Sequence, residues 1–170
     1  MSVKWNLDKT HSEVQFKVKH MVISTVTGDF SSFDAHAESE DENFKNAKFE
    51  FNADVDSIST KNPQRDEHLK SDDFFNSTEY PQLSFKGSEF DGEKLNGEIT
   101  VKGVTKPITL DADFGGVITD PYGNQRAGFE FTGQLNRKDF GLNWNGTLES
   151  GGLVVSDNVK LFVNLEFTKQ

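Results

Sequence analysis

The chain has 170 residues, 28 acidic against 18 basic side chains, a formal net charge of −10 and no cysteine. A single domain spanning 1–170 buries about 70% of the surface its unfolded chain exposes, so it needs no staple, and the missing thiol excludes a disulfide scaffold, a cysteine zinc site and a cysteine nucleophile. The acidic balance opposes nucleic-acid binding, which needs cations to displace phosphate counterions, and opposes docking on an anionic membrane through a basic patch.

No apolar stretch approaches the length of a membrane span, and the opening MSVKWNLDKT carries no apolar signal core. The expectation is a cytoplasmic protein that does not cross a membrane. There are 16 Phe but only 2 Trp and 2 Tyr. Phe has no polar handle, so these rings must be concentrated on one buried surface.

The dominant period along the chain is two, the signature of strands with one wet face. It is weak over 3–8 and clear over 14–20, where Val14, Phe16, Val18 and His20 oppose Gln15, Lys17 and Lys19. It is weak again over 28–37. It is clearest over 45–56, where Ala47, Phe49, Phe51, Ala53 and Val55 share a face. Asn62-Pro63 then offers an N-cap with proline at the first helical position, which predicts one short helical segment near 63–75. Tyr80-Pro81 returns the chain to extended geometry. Weak strands over 82–90 and 94–102 flank Asp91-Gly92, a hairpin signal. Ile108, Leu110, Ala112 and Phe114 mark a strand over 106–116, and Asp120-Pro121-Tyr122-Gly123-Asn124 is a turn. Ala127, Phe129, Phe131, Gly133, Leu135 and Arg137 share the next inward face. The Gly-rich stretch 138–157, with Phe140, Leu142 and Trp144, fits no type, and Val159, Leu161, Val163, Leu165 and Phe167 form the last strand.

About eight half-buried strands and one short helix leave two economical folds, a sandwich and a closed barrel. Runs as long as 45–58 and 106–119 favour the barrel. At about eight strands, a barrel is either just filled or holds one small ligand.

Several blocks resemble the YceI-like family of lipocalin-like, polyisoprenoid-binding proteins. They are WNLDKTHSEVQFKVKHM at 5–21, GDFSSF at 28–33, and DSISTKNPQRDEHLKSDDFFNSTEYPQLSFK at 56–86. GEITVKGVTKPITL at 97–110, NRKDFGLNWN at 136–145 and SDNVKL at 156–161 complete them. The resemblance implies an all-β, antiparallel, eight-stranded lipocalin-like up-and-down barrel around an elongated apolar pore. It also implies a carrier, store or sequestering protein for a long amphiphilic lipid, whether polyisoprenoid, quinone-like or derived from a fatty acid. Many relatives carry a secretion signal that this chain, as given, does not show.

Inward parity and the resemblance together select a cavity lining of Phe16, Val18, His20, Phe30, Phe49, Phe51, Phe85, Ile99, Phe129, Phe131, Leu135 and Arg137. The rings could fill the barrel or line a tube; interleaved Ala47, Ala53, Ala127, Gly97 and Gly133 favour the tube by leaving room. His20 is either a hydrogen-bonded core histidine or a head-group contact. An inward guanidinium at 137 needs an acid, with Asp139 or Asp66 as partner, or a ligand's polar head. Arg65 and Asp66, adjacent on a helix, each call for a separate partner.

No catalytic set is legible. The four histidines show neither metal-site spacing nor a hydrolase elbow, so no metal, cofactor or enzymatic activity is expected. The alternatives are a filled barrel serving as a stress-related interaction module and a lipid-modifying enzyme. An exposed apolar patch outside the barrel would mark a homodimer.

Overall fold

The computed structural model describes residues 2–20, 23–41, 43–44, 46–142 and 155–170, with His20 described by its backbone alone. Eleven strands make the eight staves of one closed antiparallel barrel. The first three staves are each split in two. β1 (Val3–Leu7) and β2 (Glu13–His20) flank a 3-10 turn at Lys9–His11. β3 (Ser24–Phe30) and β4 (Phe33–Ser39) flank Ser31-Ser32. β5 (Lys48–Asp54) and β6 (Ile58–Ser59) flank a turn at Val55–Ser57. The other five are whole: β7 (Gln82–Phe90), β8 (Lys94–Val101), β9 (Val104–Thr119), β10 (Gln125–Asn136) and β11 (Asn158–Lys169).

Each stave pairs with the next, and β11 closes the ring on both parts of the first stave. Phe167 lies opposite Leu7 on β1, and Leu161 lies opposite Phe16 on β2. The break between β1 and β2 interrupts the ladder, but its backbone groups still find partners, as buried groups must. The Asp8 amide donates to the Glu166 carbonyl at 2.8 Å, and the Glu166 amide donates to the Ser12 hydroxyl at 3.0 Å.

Alternation read from sequence holds along most of each stave and changes parity at β-bulges, as on β7, where the inward set Leu83, Phe85 and Gly87 gives way to Phe90, and on β9, where Phe114 gives way to Val117. On β5, Phe49 and Ala53 are buried while Glu50 and Asn52 are exposed. The weak run over 28–37 is two strands rather than one. The hairpin signals also hold: Asp91 Oδ1 accepts the Glu93 and Lys94 amides, and Asp120 Oδ1 accepts those of Tyr122 and Asn124.

The helix α1 (Pro63–Lys70) starts as the sequence predicts, with the Asn62 side chain accepting from the Arg65 amide at 3.2 Å. It ends at Lys70, and the rest of the segment expected near 63–75 is a turn through Asp73, Phe74 and Phe75. Phe74 and Phe75 both turn inward onto the barrel from the turns over 71–79. This segment bridges one end of the barrel. At one side, Asp66 Oδ1 accepts from the Thr60 amide at 2.8 Å and hydroxyl at 2.6 Å, while Arg65 donates to the Thr60 hydroxyl and carbonyl, both at 2.8 Å. Arg65 and Asp66 therefore share one partner rather than having two. At the other side, Lys102 donates to the Asp72 carbonyl at 3.1 Å.

Ile23, Ile118 and Tyr122 are the large exposed apolar residues among those described; Ile23 stands in the β2–β3 turn, and Ile118 and Tyr122 share the end of the β9–β10 hairpin. No described helix is long and apolar enough to cross a membrane.

Candidate functional site

The barrel interior divides into a solid half and a hollow half. The solid half lies toward the β9–β10 hairpin. There Phe129 stacks on Phe114 at 4.7 Å and on Phe131 at 5.5 Å, with Phe44 and Phe49 edge-on at 4.8 and 5.2 Å. Trp5, fully buried, lies 4.7 Å from Phe44 and donates its indole N–H to the Ser39 hydroxyl. Phe44 comes from the β4–β5 connection, not a strand, and its backbone φ is 61°.

The hollow half lies toward α1 and contains a cavity of about 170 Å³. Ten of the twelve residues selected from sequence wall it: Phe16, Val18, Phe30, Phe49, Phe51, Phe85, Ile99, Phe131, Leu135 and Arg137. Phe129 does not. It shares their parity, but the ring stack with Phe114 holds it within the solid half. The side chain of His20, like Trp144, lies outside the described residues. Reading strands alone missed Leu69, Phe74 and Phe75 at the bridging segment, and Leu142 and Val155 near Arg137. Only the crowding of large apolar residues in 69–75 hinted at the first three.

The small residues act differently from expectation. A side chain added at Gly97 would meet the Lys86 carbonyl oxygen at 2.3 Å and the Phe85 ring at 2.7 Å, and one at Gly133 would meet Leu110 Cδ2 at 2.5 Å. That room is already taken by neighbouring backbone and side chains and does not belong to the lumen. The same holds at Gly28, where the Phe16 ring would lie 2.2 Å away. Glycine lets these rings lie flat against the wall.

Arg137 is the one charged side chain among the buried described residues, at 3% exposed. Neither Asp139 nor Asp66 is the partner expected for it. Nε donates to the Ser156 carbonyl at 2.9 Å, Nη1 to the Leu142 carbonyl at 2.6 Å and Nη2 to the Val155 carbonyl at 3.4 Å. The nearest described acid is Asp157, 3.8 Å away. Parity along β10 does turn Arg137 inward, but a 3-10 turn begins there; the chain beyond that turn supplies the Leu142 carbonyl, and the segment leading into β11 supplies those of Val155 and Ser156 together with Asp157. Burial lowers its pKa from the ordinary guanidinium value, and Asp157 opposes that shift.

Outside the barrel, Arg126 gathers Asp8 at 2.6 Å, Asp120 at 2.7 Å and Glu166 at 3.0 Å, while His11 Nδ1 lies 2.8 Å from Asp8. Hydrogen bonds from Thr10 and His11, with Arg126 adding to them, hold the Asp8 carboxyl well below the usual carboxylate range. Asp8, His11 and Glu166 bring metal-ligand atoms together. The Arg126 guanidinium already occupies that spot, and its charge opposes a cation there. The cavity wall itself offers carbon, with Gln15, Glu50 and Arg137 as its polar residues. The Glu50 carboxylate is engaged outside the barrel by His36 at 3.0 Å. The arrangement can enclose an apolar chain.

The sequence model of the YceI-like domain matches residues 5–167. A UPF0312 protein of Staphylococcus epidermidis is 37% identical over 166 residues, covering 97% of each chain. A UPF0312 protein of Staphylococcus aureus is 37% identical over 165 residues, covering 96% of each. The Campylobacter jejuni YCEI protein superposes with a TM-score of 0.75 at 32% identity, covering 89% of this chain and 90% of that one. A polyisoprenoid binding domain from Saccharophagus degradans shares the fold, with a TM-score of 0.70 at 16% identity over 98% of both chains. The motif blocks spread along the sequence and the closed barrel they build thus agree with the comparisons: this chain belongs to the YceI-like domain family.

Proposed function

We propose that the hollow half binds the apolar chain of a long amphiphilic lipid, of the polyisoprenoid, isoprenoid-quinone or fatty-acyl class, and that the protein acts as a carrier or store without turning the lipid over. The observation that carries this reading is the cavity of about 170 Å³, walled by apolar side chains and capped by Leu69, Phe74 and Phe75. The polyisoprenoid binding domain among the structural neighbours supports the ligand class. Burying ten chain carbons contributes roughly 8 kcal/mol before the cost of ordering the chain. The cavity is smaller than the roughly 300 Å³ at which ligand pockets commonly begin. A long chain therefore seats by displacing side chains, and those on the bridging turns have the fewest strand constraints.

The test is native purification from several hosts, solvent extraction and mass spectrometry of the extract. The expected result is a co-purified chain lipid near one per protein. Empty extracts from every host, with no uptake of an added isoprenoid, overturn the proposal in favour of a filled-barrel interaction module.

A further inference from the structure

The lysines of this acidic chain are not evenly spread. β2 and β11 are neighbours, and their register sets Lys17 directly opposite Lys160. Lys19 follows on the same outward face of β2. Like charges placed directly opposite on adjacent strands are destabilising, and with 28 acids available a carboxylate between them was easily supplied. Instead, the cross-strand neighbours are Thr27 and Thr25 on β3 and Gln134 on β10. The Lys19 ammonium donates to the Thr25 hydroxyl at 3.1 Å, and the Lys17 ammonium lies 4.8 Å over the Phe162 ring. Lys4, Lys48 and Lys86, by contrast, each stand directly across from a glutamate on a neighbouring strand. Glu13 and Asp29 border the face on one side, and Asp157, engaged with Lys138, borders it on the other.

This basic face backs onto the cavity. The inward residues that alternate with these lysines are Phe16, Val18, Val159 and Leu161, all in the cavity wall. Ile23, 85% exposed, stands in the adjoining β2–β3 turn. Because charges are screened over about 8 Å at physiological salt, a surface in contact here feels the local lysines more than the net charge of the chain. Net charge carries no position, so overall acidity does not by itself exclude such a contact.

We propose that the face of Lys17, Lys19 and Lys160 docks the hollow half of the barrel on an anionic lipid bilayer, the reservoir from which the cavity is loaded. The proposal rests on the reading of the cavity as a lipid site. The lysines meet the headgroups, and Ile23 and Phe162 add apolar contact at the interface. That combination of basic and apolar groups beside an apolar lumen favours a bilayer over a soluble polyanion.

The experiment is co-sedimentation of the full chain with phosphatidylcholine vesicles, with and without phosphatidylglycerol. The expected result is binding only to the anionic vesicles, reversed by salt. Lys17→Gln with Lys160→Gln should weaken it about 25-fold, at about fivefold per lysine. Lys86→Gln makes the control: it changes the net charge too, but Lys86 stands between Glu50 and Glu98, so binding should be unchanged. Equal binding to neutral vesicles, no binding to either, or an equal loss in the control overturns the proposal. Capture by long-chain polyphosphate without vesicle binding also overturns it and assigns the face to a soluble polyanion. Extraction and mass spectrometry separate this from the cavity reading. A lipid-loaded protein that ignores anionic vesicles refutes the docking face alone, and a docking protein that is always empty refutes the cargo.

Discussion

Phe129 and Phe16 sit at equivalent inward positions of two well-formed strands, yet they do opposite things. Phe129 projects into the lumen and stacks between Phe114 and Phe131, with further rings edge-on. Phe16 lies flat over Gly28, and its nearest ring, Phe30, is 5.8 Å away. One half of the barrel is thereby filled and the other left open. Phe85 over Gly97 repeats the second arrangement. A phenylalanine facing inward does not by itself decide between plug and tube. Its neighbours on the adjoining strands do: Phe129 faces Phe114 and Leu165, whereas a glycine beside the ring, directly opposite at Gly28 or one pair along at Gly97, leaves room for it against the wall.

The largest expected effect tests that contrast directly. Phe129→Ala removes a ring that is 3% exposed and packed on several sides, and should cost about 3–5 kcal/mol in denaturant unfolding. Phe16→Ala should cost about half as much, because one side of that ring borders empty space. Equal losses would show that the hollow half is packed after all. Next comes Arg137→Met, which keeps the stem but leaves the carbonyls of Leu142, Val155 and Ser156 without their donor. At about 1–3 kcal/mol for each buried group left unmet, a loss of about 3 kcal/mol is expected. Arg137→Lys should restore only part of it, since one ammonium cannot reach all three carbonyls. A stability indistinguishable from the parent would contradict the buried clamp and return Arg137 to a ligand-facing role.

Gly28→Ala should convert hollow to filled. Its Cβ would lie 2.2 Å from the Phe16 ring, so the ring must swing into the lumen. Overpacking of this kind costs about 1–3 kcal/mol, and uptake of an added isoprenoid should fall as the cavity shrinks. Uptake unchanged from the parent places the binding site elsewhere. The smallest effect lies outside the solid half, where Asp8 ties the β1–β2 break to Arg126. The folded pKa of Asp8 is depressed below its unfolded value near 3.9, so its charge stabilises the fold at neutral pH. That contribution begins to fade as the pH falls below about 4 and is gone once the pH passes below the folded pKa. Asp8→Asn should therefore melt lower than the parent at pH 7, with the gap closing in acid and lipid uptake untouched. A gap that widens in acid contradicts the assignment.

Much of the barrel was legible because alternation is local. Phe49, Ala53, Ala127, Phe131 and Leu165 are buried where parity puts them, and Asp91-Gly92 and Asn62-Pro63 mark a hairpin and a helix start through chemistry confined to a few residues. The site was legible to the extent that it is made of strands. Phe44 plugs the solid half from a connection with no period. Leu69, Phe74 and Phe75 cap the cavity from a short helix and turns, and Leu142 and Val155 reach Arg137 from beyond the strand ends. A pattern read along the chain cannot register residues that enter the lumen from its ends.

The sequence by itself determined the two faces of each strand, the antiparallel meander that tight turns enforce, and the inward placement of an arginine at 137. Each follows from side-chain direction over a few neighbouring residues. The tertiary structure alone decided which rings meet across the lumen, that Arg137 donates to backbone carbonyls with Asp157 as its ion-pair partner in place of Asp139 or Asp66, and that Lys17 faces Lys160 on an acidic molecule. Those outcomes depend on the register between strands far apart in sequence. A shift of one residue in that register would move every one of these side chains to the opposite face.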